Sequence, residues 1–100
     1  MDIITKVDGA NATLQLIGNL TVAAAPRLEA AFAELADDVL NITLDLTQLD
    51  YVASAGLRVI VSKEKRLRAA GGGLLLTHPN EEVMEVFDAT GLIDILKIEQ

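Results

Sequence analysis

A serine set among small residues is the first candidate for chemistry in this sequence. Ser54 stands in the run VASAGL, where Ala53, Ala55 and Gly56 leave its hydroxyl unobstructed between a strand-like and a helix-like segment. Two uses of this hydroxyl are open. It could cap the helix by accepting a hydrogen bond from the N–H of residue 56 or 57, a contact worth about 1 kcal/mol. It could also carry a phosphate, whose charge of about −1.5 to −2 is favoured at a helix N-terminus.

The other polar side chains do not form a recognisable catalytic pattern. His78 has no neighbouring His or Cys, and Asp50 and Glu64 are the scattered carboxylates of an acidic surface. Asp45 is different because it interrupts an apolar strand. We expect its carboxylate to hydrogen-bond loop amides around Ser54 and so to shape that loop. No glycine-rich phosphate loop is present, and we predict no catalytic residue, metal or cofactor.

Length and charge restrict the class of protein. One hundred residues predict a single domain over residues 1–100. A net charge of −7 disfavours binding to nucleic acid or an anionic membrane surface, and no apolar run reaches the roughly 18 residues of a membrane span. The absence of cysteine fits a reducing compartment. We therefore expect a cytoplasmic protein that acts on a protein partner of basic or mixed charge.

Strand and helix patterns alternate along the chain. They predict strands at 3–7, 12–17, 41–46, 74–77 and 93–98, and helices at 21–36, about 57–70 and 81–88. Two leading strands followed by this alternation predict an α/β protein with one mixed sheet of four to five strands and helices packed on it. Sites in such sheets form beyond the carboxyl ends of the strands, which is where Ser54 falls.

Several segments together resemble a known family. GNLTVAAAPRLEAAF, LDLTQLDYVASAGLRVIV, the glycine-rich helix exit and the closing TGL are similar to the STAS domain of bacterial anti-sigma factor antagonists, and the likeness covers nearly the whole chain. It implies the STAS fold and a partner switch without enzymatic activity. In that switch the unmodified antagonist binds an anti-sigma factor that is also a serine kinase. Phosphorylation of a serine before the second helix releases it, and a PP2C-type phosphatase removes the phosphate.

The resemblance also implies site residues. Ser54 falls on the phosphorylated position. The expected partner-binding residues are Thr21, Ala23, Ala24, Ala53, Ala55, Gly56, Leu57 and Arg58. Ala53 and Thr21 stand where many members carry Asp, which bears on kinase recognition. Many members also add a terminal helix at about the position of Gln100, and its absence would expose the last strand. We expect a monomer when free.

A constitutive role is the alternative. The same fold can serve as an interaction module, or as a small subunit of a transport or sensory assembly, without a phosphorylation cycle. That alternative predicts no modification of Ser54.

Overall fold

The structure, a computed structural model, describes all residues from 1 to 100. Its strands are β1 Asp2–Asp8, β2 Asn11–Leu20, β3 Asn41–Val52, β4 Gly73–Thr77 and β5 Lys97–Glu99. Its α-helices are α1 Ala25–Ala33, α2 Ser54–Ala69 and α3 Glu81–Ala89, and a short 3₁₀ turn covers Leu92–Asp94. The expected α/β class with a mixed sheet is confirmed, and the sheet has five strands.

The strands lie in the sheet in their order along the chain. β1 and β2 form an antiparallel hairpin, and β2, β3, β4 and β5 are parallel neighbours. Gly9 has φ +61° in the hairpin turn, a conformation that glycine adopts without strain. Each parallel connection requires a crossover, and α1, α2 and α3 supply these crossovers in turn.

One face of the sheet carries the core. Leu14, Leu44 and Leu76 pair side by side across β2, β3 and β4, and all are fully buried. Leu28 and Phe32 of α1 belong to the same apolar cluster. This aliphatic core holds the strands in register, because a shift of one residue would turn the leucines to the other face.

The helix and strand bounds differ from the sequence prediction at the ends that matter for the site. α1 begins at Ala25 rather than at Thr21, because the Thr21 carbonyl accepts from the N–H groups of Ala24 and Ala25 at 3.1 and 3.0 Å and forms a turn there. Pro26 then lies in the first helical turn, where its missing N–H costs nothing. β3 runs on to Val52 rather than ending at Leu46.

Helix α3 is anchored to β3 by one side chain. Asn80 is its N-cap: Oδ1 accepts from the Val83 N–H at 2.8 Å, as the sequence predicted for this residue. The same amide donates from Nδ2 to the Leu49 carbonyl at 3.2 Å. Asn80 therefore stabilises the helix and ties it to the extended end of β3.

Candidate functional site

The carboxyl ends of β2 and β3 lie side by side and position the site. Leu20 pairs with Val52, and the Ala53 N–H donates to the Leu20 carbonyl at 2.8 Å, so the pairing continues one residue beyond β3. The turn 21–24 after β2 and the junction before Ser54 are therefore adjacent. The two segments lie about 30 residues apart in the sequence, and the parallel register of β2 and β3 brings them together.

Two bulges allow β3 to reach this edge. Gln15 pairs with Asp45 but Ile17 pairs with Gln48, so one extra β3 residue is accommodated there. A second irregularity follows between Gly18 and Asn19 of β2. The bulges keep Leu49 and Val52 buried although the polar residues between them break strict alternation.

The turn after β2 presents an exposed surface. The Ala24 N–H donates to Thr21 Oγ1 at 3.1 Å, which holds the turn in shape. Thr21 and Ala23 are exposed, and Val22 is 67% exposed although it is a large apolar residue. Ala24 is buried beneath them.

Ser54 is the first residue of α2 and is exposed. The N-cap is Ala53, whose backbone is extended at φ −88° and ψ 163° and whose side chain has no acceptor. The capping interpretation of Ser54 is therefore wrong, because Ser54 already has its place within the helix. No acidic residue lies in the first turn either. The hydroxyl is thus presented at an uncapped helix N-terminus.

The first turn of α2 packs tightly on the end of β2. A Cβ at Gly56 would lie 2.5 Å from Leu20 Cγ and 2.6 Å from Cδ2, so only glycine fits at this position. Leu57 and Ala53 are buried, Ala55 is partly buried and Arg58 is exposed. The eight residues predicted to bind a partner thus divide. Thr21, Ala23, Ala55 and Arg58 are accessible, whereas Ala24, Ala53, Gly56 and Leu57 support the surface from below.

Asp45 is not part of the Ser54 loop. Its Oδ1 accepts from the Thr47 N–H at 3.0 Å and from the Thr47 hydroxyl at 2.6 Å, at the first bulge of β3. The expectation that it binds amides around Ser54 is wrong, because β3 continues to Val52 and leaves Asp45 within the strand. The Thr47 hydroxyl and N–H hold the pKa of Asp45 below its usual value; nearby His78 acts in the same direction, and partial burial opposes them.

Sequence reasoning missed a groove between α1 and α2. Two hollows of about 390 and 290 Å³ share Glu29, Val59 and Ser62 and form one furrow, here called the α1–α2 groove. Its lining residues are Val22, Ala25, Pro26, Glu29, Phe32, Ala33, Ala55, Arg58, Val59, Ser62, Lys63 and Arg66. The groove begins beside Ala55, next to Ser54, and runs along α2. The signal in the sequence was Val59 among basic residues on the outer side of an amphipathic helix.

Glu64 is also unexpected, because it is only 8% exposed on the helix whose neighbouring charges face solvent. Its Oε2 lies 3.3 Å from Arg68 Nη2 but makes no hydrogen bond. Elsewhere, no three His, Asp or Glu side chains converge in a way that could hold a metal ion. None of the helices has both the length and the apolar character needed to cross a membrane.

Comparison with known proteins now identifies the family. The STAS domain model matches residues 2–100. BtrV of Bordetella bronchiseptica, a candidate anti-sigma factor antagonist, is 40% identical over 95 residues, which cover 93% of this chain and 80% of BtrV. This chain belongs to the STAS-domain anti-sigma factor antagonist family. The resemblance inferred from VASAGLRVIV and its neighbouring segments is confirmed.

Other family members extend the comparison. The anti-sigma-B factor antagonist of Bacillus subtilis is 33% identical over 85 residues, covering 85% of this chain and 78% of that protein. The structure of the anti-sigma factor antagonist SpoIIAA in its unphosphorylated form has a TM-score of 0.82 at 20% identity, covering 99% of this chain and 89% of SpoIIAA. SpoIIAA has also been solved in a phosphorylated form, with a TM-score of 0.75. Anti-sigma factor antagonists are non-enzymatic regulators, in agreement with the prediction that this STAS domain is not an enzyme.

Proposed function

We propose that this STAS domain is a phosphorylation-controlled switch. Unmodified, it binds an anti-sigma factor that is also a serine kinase and thereby frees a sigma factor. Phosphorylation of Ser54 ends that binding. The observation that carries the proposal is the exposed Ser54 at the uncapped start of α2, beside the exposed turn 21–23.

The position of Ser54 favours a modification that changes the surface and leaves the fold intact. The free N–H groups of the first turn and the positive end of the helix dipole stabilise a phosphate placed there. The same dianion would be costly in a packed protein interface, because it must lose its hydration and meets any acidic group of the partner. Phosphorylation therefore removes the partner without unfolding the antagonist.

The rest of the cycle follows from this chemistry. The kinase needs ATP, which places the switch in the cytoplasm, and a PP2C-type phosphatase regenerates the unmodified serine. The free antagonist is a monomer in this scheme. Ala53 is buried, so its side chain is hardly accessible to the kinase, whereas Thr21 is exposed beside Ser54 and is open to contact by the kinase.

The two serines of the chain allow a direct test, because only Ser54 and Ser62 are present. The chain is incubated with ATP and the anti-sigma factor kinase encoded in the same genome, and phosphate is located by mass spectrometry. We expect Ser62→Ala to accept phosphate and Ser54→Ala to accept none, since Ser62 lies within α2 and has no free backbone around it. Phosphate on Ser62 instead would refute the assignment.

A binding measurement then tests the release step. Calorimetry should show that Ser54→Ala binds the anti-sigma factor as the parent chain does, whereas Ser54→Asp weakens binding about tenfold or more. Ser54→Asn is the matched control because it has nearly the same size without the charge. Equal affinities for the Asp and Asn variants, with no phosphate on Ser54 in cells, would support the constitutive interaction module instead.

A further inference from the structure

Charge on this acidic protein is strongly segregated. Helix α2 carries five of the eight basic side chains and one of the fifteen acidic ones. That one, Glu64, is buried and paired with Arg68, so it offsets only one of the five basic side chains of the helix. The exposed surface of α2 is therefore a basic strip on a molecule of net charge −7.

The basic strip forms one wall of the α1–α2 groove. Arg58, Lys63 and Arg66 line it from α2, and Glu29 is the single charged residue that lines it from α1. Between these walls lie apolar groups of Phe32 and Val59. Lys63 extends over Phe32, with Nζ 5.7 Å from the ring centroid. The groove thus combines an apolar floor with one cationic edge.

We infer that the α1–α2 groove binds an acidic amphipathic helix of the anti-sigma factor, with an apolar stripe on the groove floor and Asp or Glu side chains facing Arg58, Lys63 and Arg66. This inference rests on the proposed function for the identity of the partner. The distance along α2 from Arg58 to Arg66 is about 12 Å at 1.5 Å per residue, which matches two to three turns of a docked helix.

The remaining surface restricts where such a helix can bind. Outside α2 the chain carries fourteen acidic and three basic side chains. An acidic segment is therefore repelled over most of the surface and attracted along one strip, which fixes its position and orientation.

The location of the groove also explains how Ser54 could control it. The groove begins at Val22 and Ala55, and Ala55 follows Ser54 directly. A phosphate on Ser54 adds negative charge at this end of the groove, where it repels an acidic helix at short range. The phosphate on Ser54 and the acidic side chains of the docked helix are both negative, so phosphorylation weakens docking by electrostatic repulsion.

Charge reversal tests the inference with the anti-sigma factor itself. Lys63→Glu combined with Arg66→Glu should weaken binding about 10- to 100-fold, with most of the loss disappearing at high salt. The matched control is Lys6→Glu combined with Lys97→Glu, which changes net charge equally on β1 and β5, outside the groove, and should stay within about threefold of the parent chain. Circular dichroism verifies that each variant is folded. If the double glutamate variant does not fold, Lys63→Gln combined with Arg66→Gln is used in its place.

The outcomes separate the two proposals. If the parent chain binds the anti-sigma factor and is phosphorylated on Ser54, but the groove and control variants bind equally, the inference is overturned and the switch remains. If the anti-sigma factor does not bind the parent chain, the proposed function fails. The groove is then tested with a designed probe.

That probe is a stapled 14-residue helical peptide with a leucine stripe flanked by glutamates. NMR should show amide shifts concentrated at Val59 and Ser62, and a peptide with glutamine in place of glutamate should bind at least about fivefold more weakly. Equal binding of the two peptides, or shifts on another surface, would overturn the inference.

Discussion

Replacing Gly56 with alanine tests whether the start of α2 is held against the end of β2. The added Cβ would lie 2.5 Å from Leu20 Cγ, and Leu20 is fully buried and cannot rotate freely away. Overpacking of this kind costs about 1–3 kcal/mol, while alanine gains up to about 1 kcal/mol over glycine in helix propensity. We therefore expect Gly56→Ala to lower the free energy of unfolding by about 1–2 kcal/mol.

A double-mutant cycle isolates the contact. Leu20→Ala removes the side chain that the new Cβ meets, so Gly56→Ala in that background should be neutral or stabilising, as its helix propensity requires. Urea unfolding followed by circular dichroism gives all four free energies. Gly73→Ala is the control, because a Cβ at Gly73 meets nothing within 4 Å. Additive effects at Gly56 and Leu20, or a stabilised Gly56→Ala single variant, would refute the packing argument.

Three further predictions concern other polar contacts. Asn80→Ala should lower the free energy of unfolding by about 1–2 kcal/mol, because Asn80 caps α3. Ser54→Ala should change it by less than about 0.5 kcal/mol, because Ser54 does not cap α2. Equal losses for the two variants in urea unfolding would contradict these cap assignments. Glu64→Leu should raise the free energy of unfolding by about 1 kcal/mol, because a buried carboxylate oxygen without a hydrogen bond is removed. A clear decrease in that free energy would show instead that the Glu64–Arg68 ion pair is stabilising. The pKa of Asp45 is lowered by folding, so its stabilising effect is present above its unfolded pKa of about 4 and is lost as pH falls through the folded pKa. The difference in free energy of unfolding between Asp45→Asn and the parent chain should therefore vanish in acid. A difference that stays constant from pH 7 to pH 3 would contradict the lowered pKa of Asp45.

Much of this fold could be predicted from periodicity, but the features that depend on backbone geometry could not. Alternating leucines predicted β2, the continuous leucine run at 74–76 predicted β4, and Asn80 was recognised as a cap from its type and position. β3 was predicted too short because its two bulges interrupt the alternation after Leu46. These bulges arise where β3 pairs with β2, and the hydrophobic pattern of one segment does not indicate how it pairs with another.

The candidate site also combines features that the sequence predicts with features that depend on backbone geometry. Ser54 and Thr21 were named as site residues from the sequence and its family resemblance, but Thr21 was predicted to begin a helix, whereas it lies in a turn before α1. The parallel register places their segments side by side. The residue types allowed Ser54 as the N-cap, since serine is a favoured cap and alanine is not, but the extended backbone at Ala53 makes Ala53 the N-cap. The burial of Glu64 and the groove beside Val59 depend on how α2 packs, which charge and hydropathy alone do not determine.

The two bulges in β3 have a consequence for how this segment can vary. They set the number of residues between the pair Gln15–Asp45, where regular register ends, and the edge at which Ser54 emerges beside the turn at Thr21. Deleting one residue between Asp45 and Ser54 would draw the serine back by about 3.3 Å or turn Leu49 and Val52 out of the core. Residue types in this stretch can change where side chains face solvent, but its length cannot. The length of this stretch therefore fixes how far beyond the paired strands Ser54 emerges, and with it the distance from the serine to the turn at Thr21.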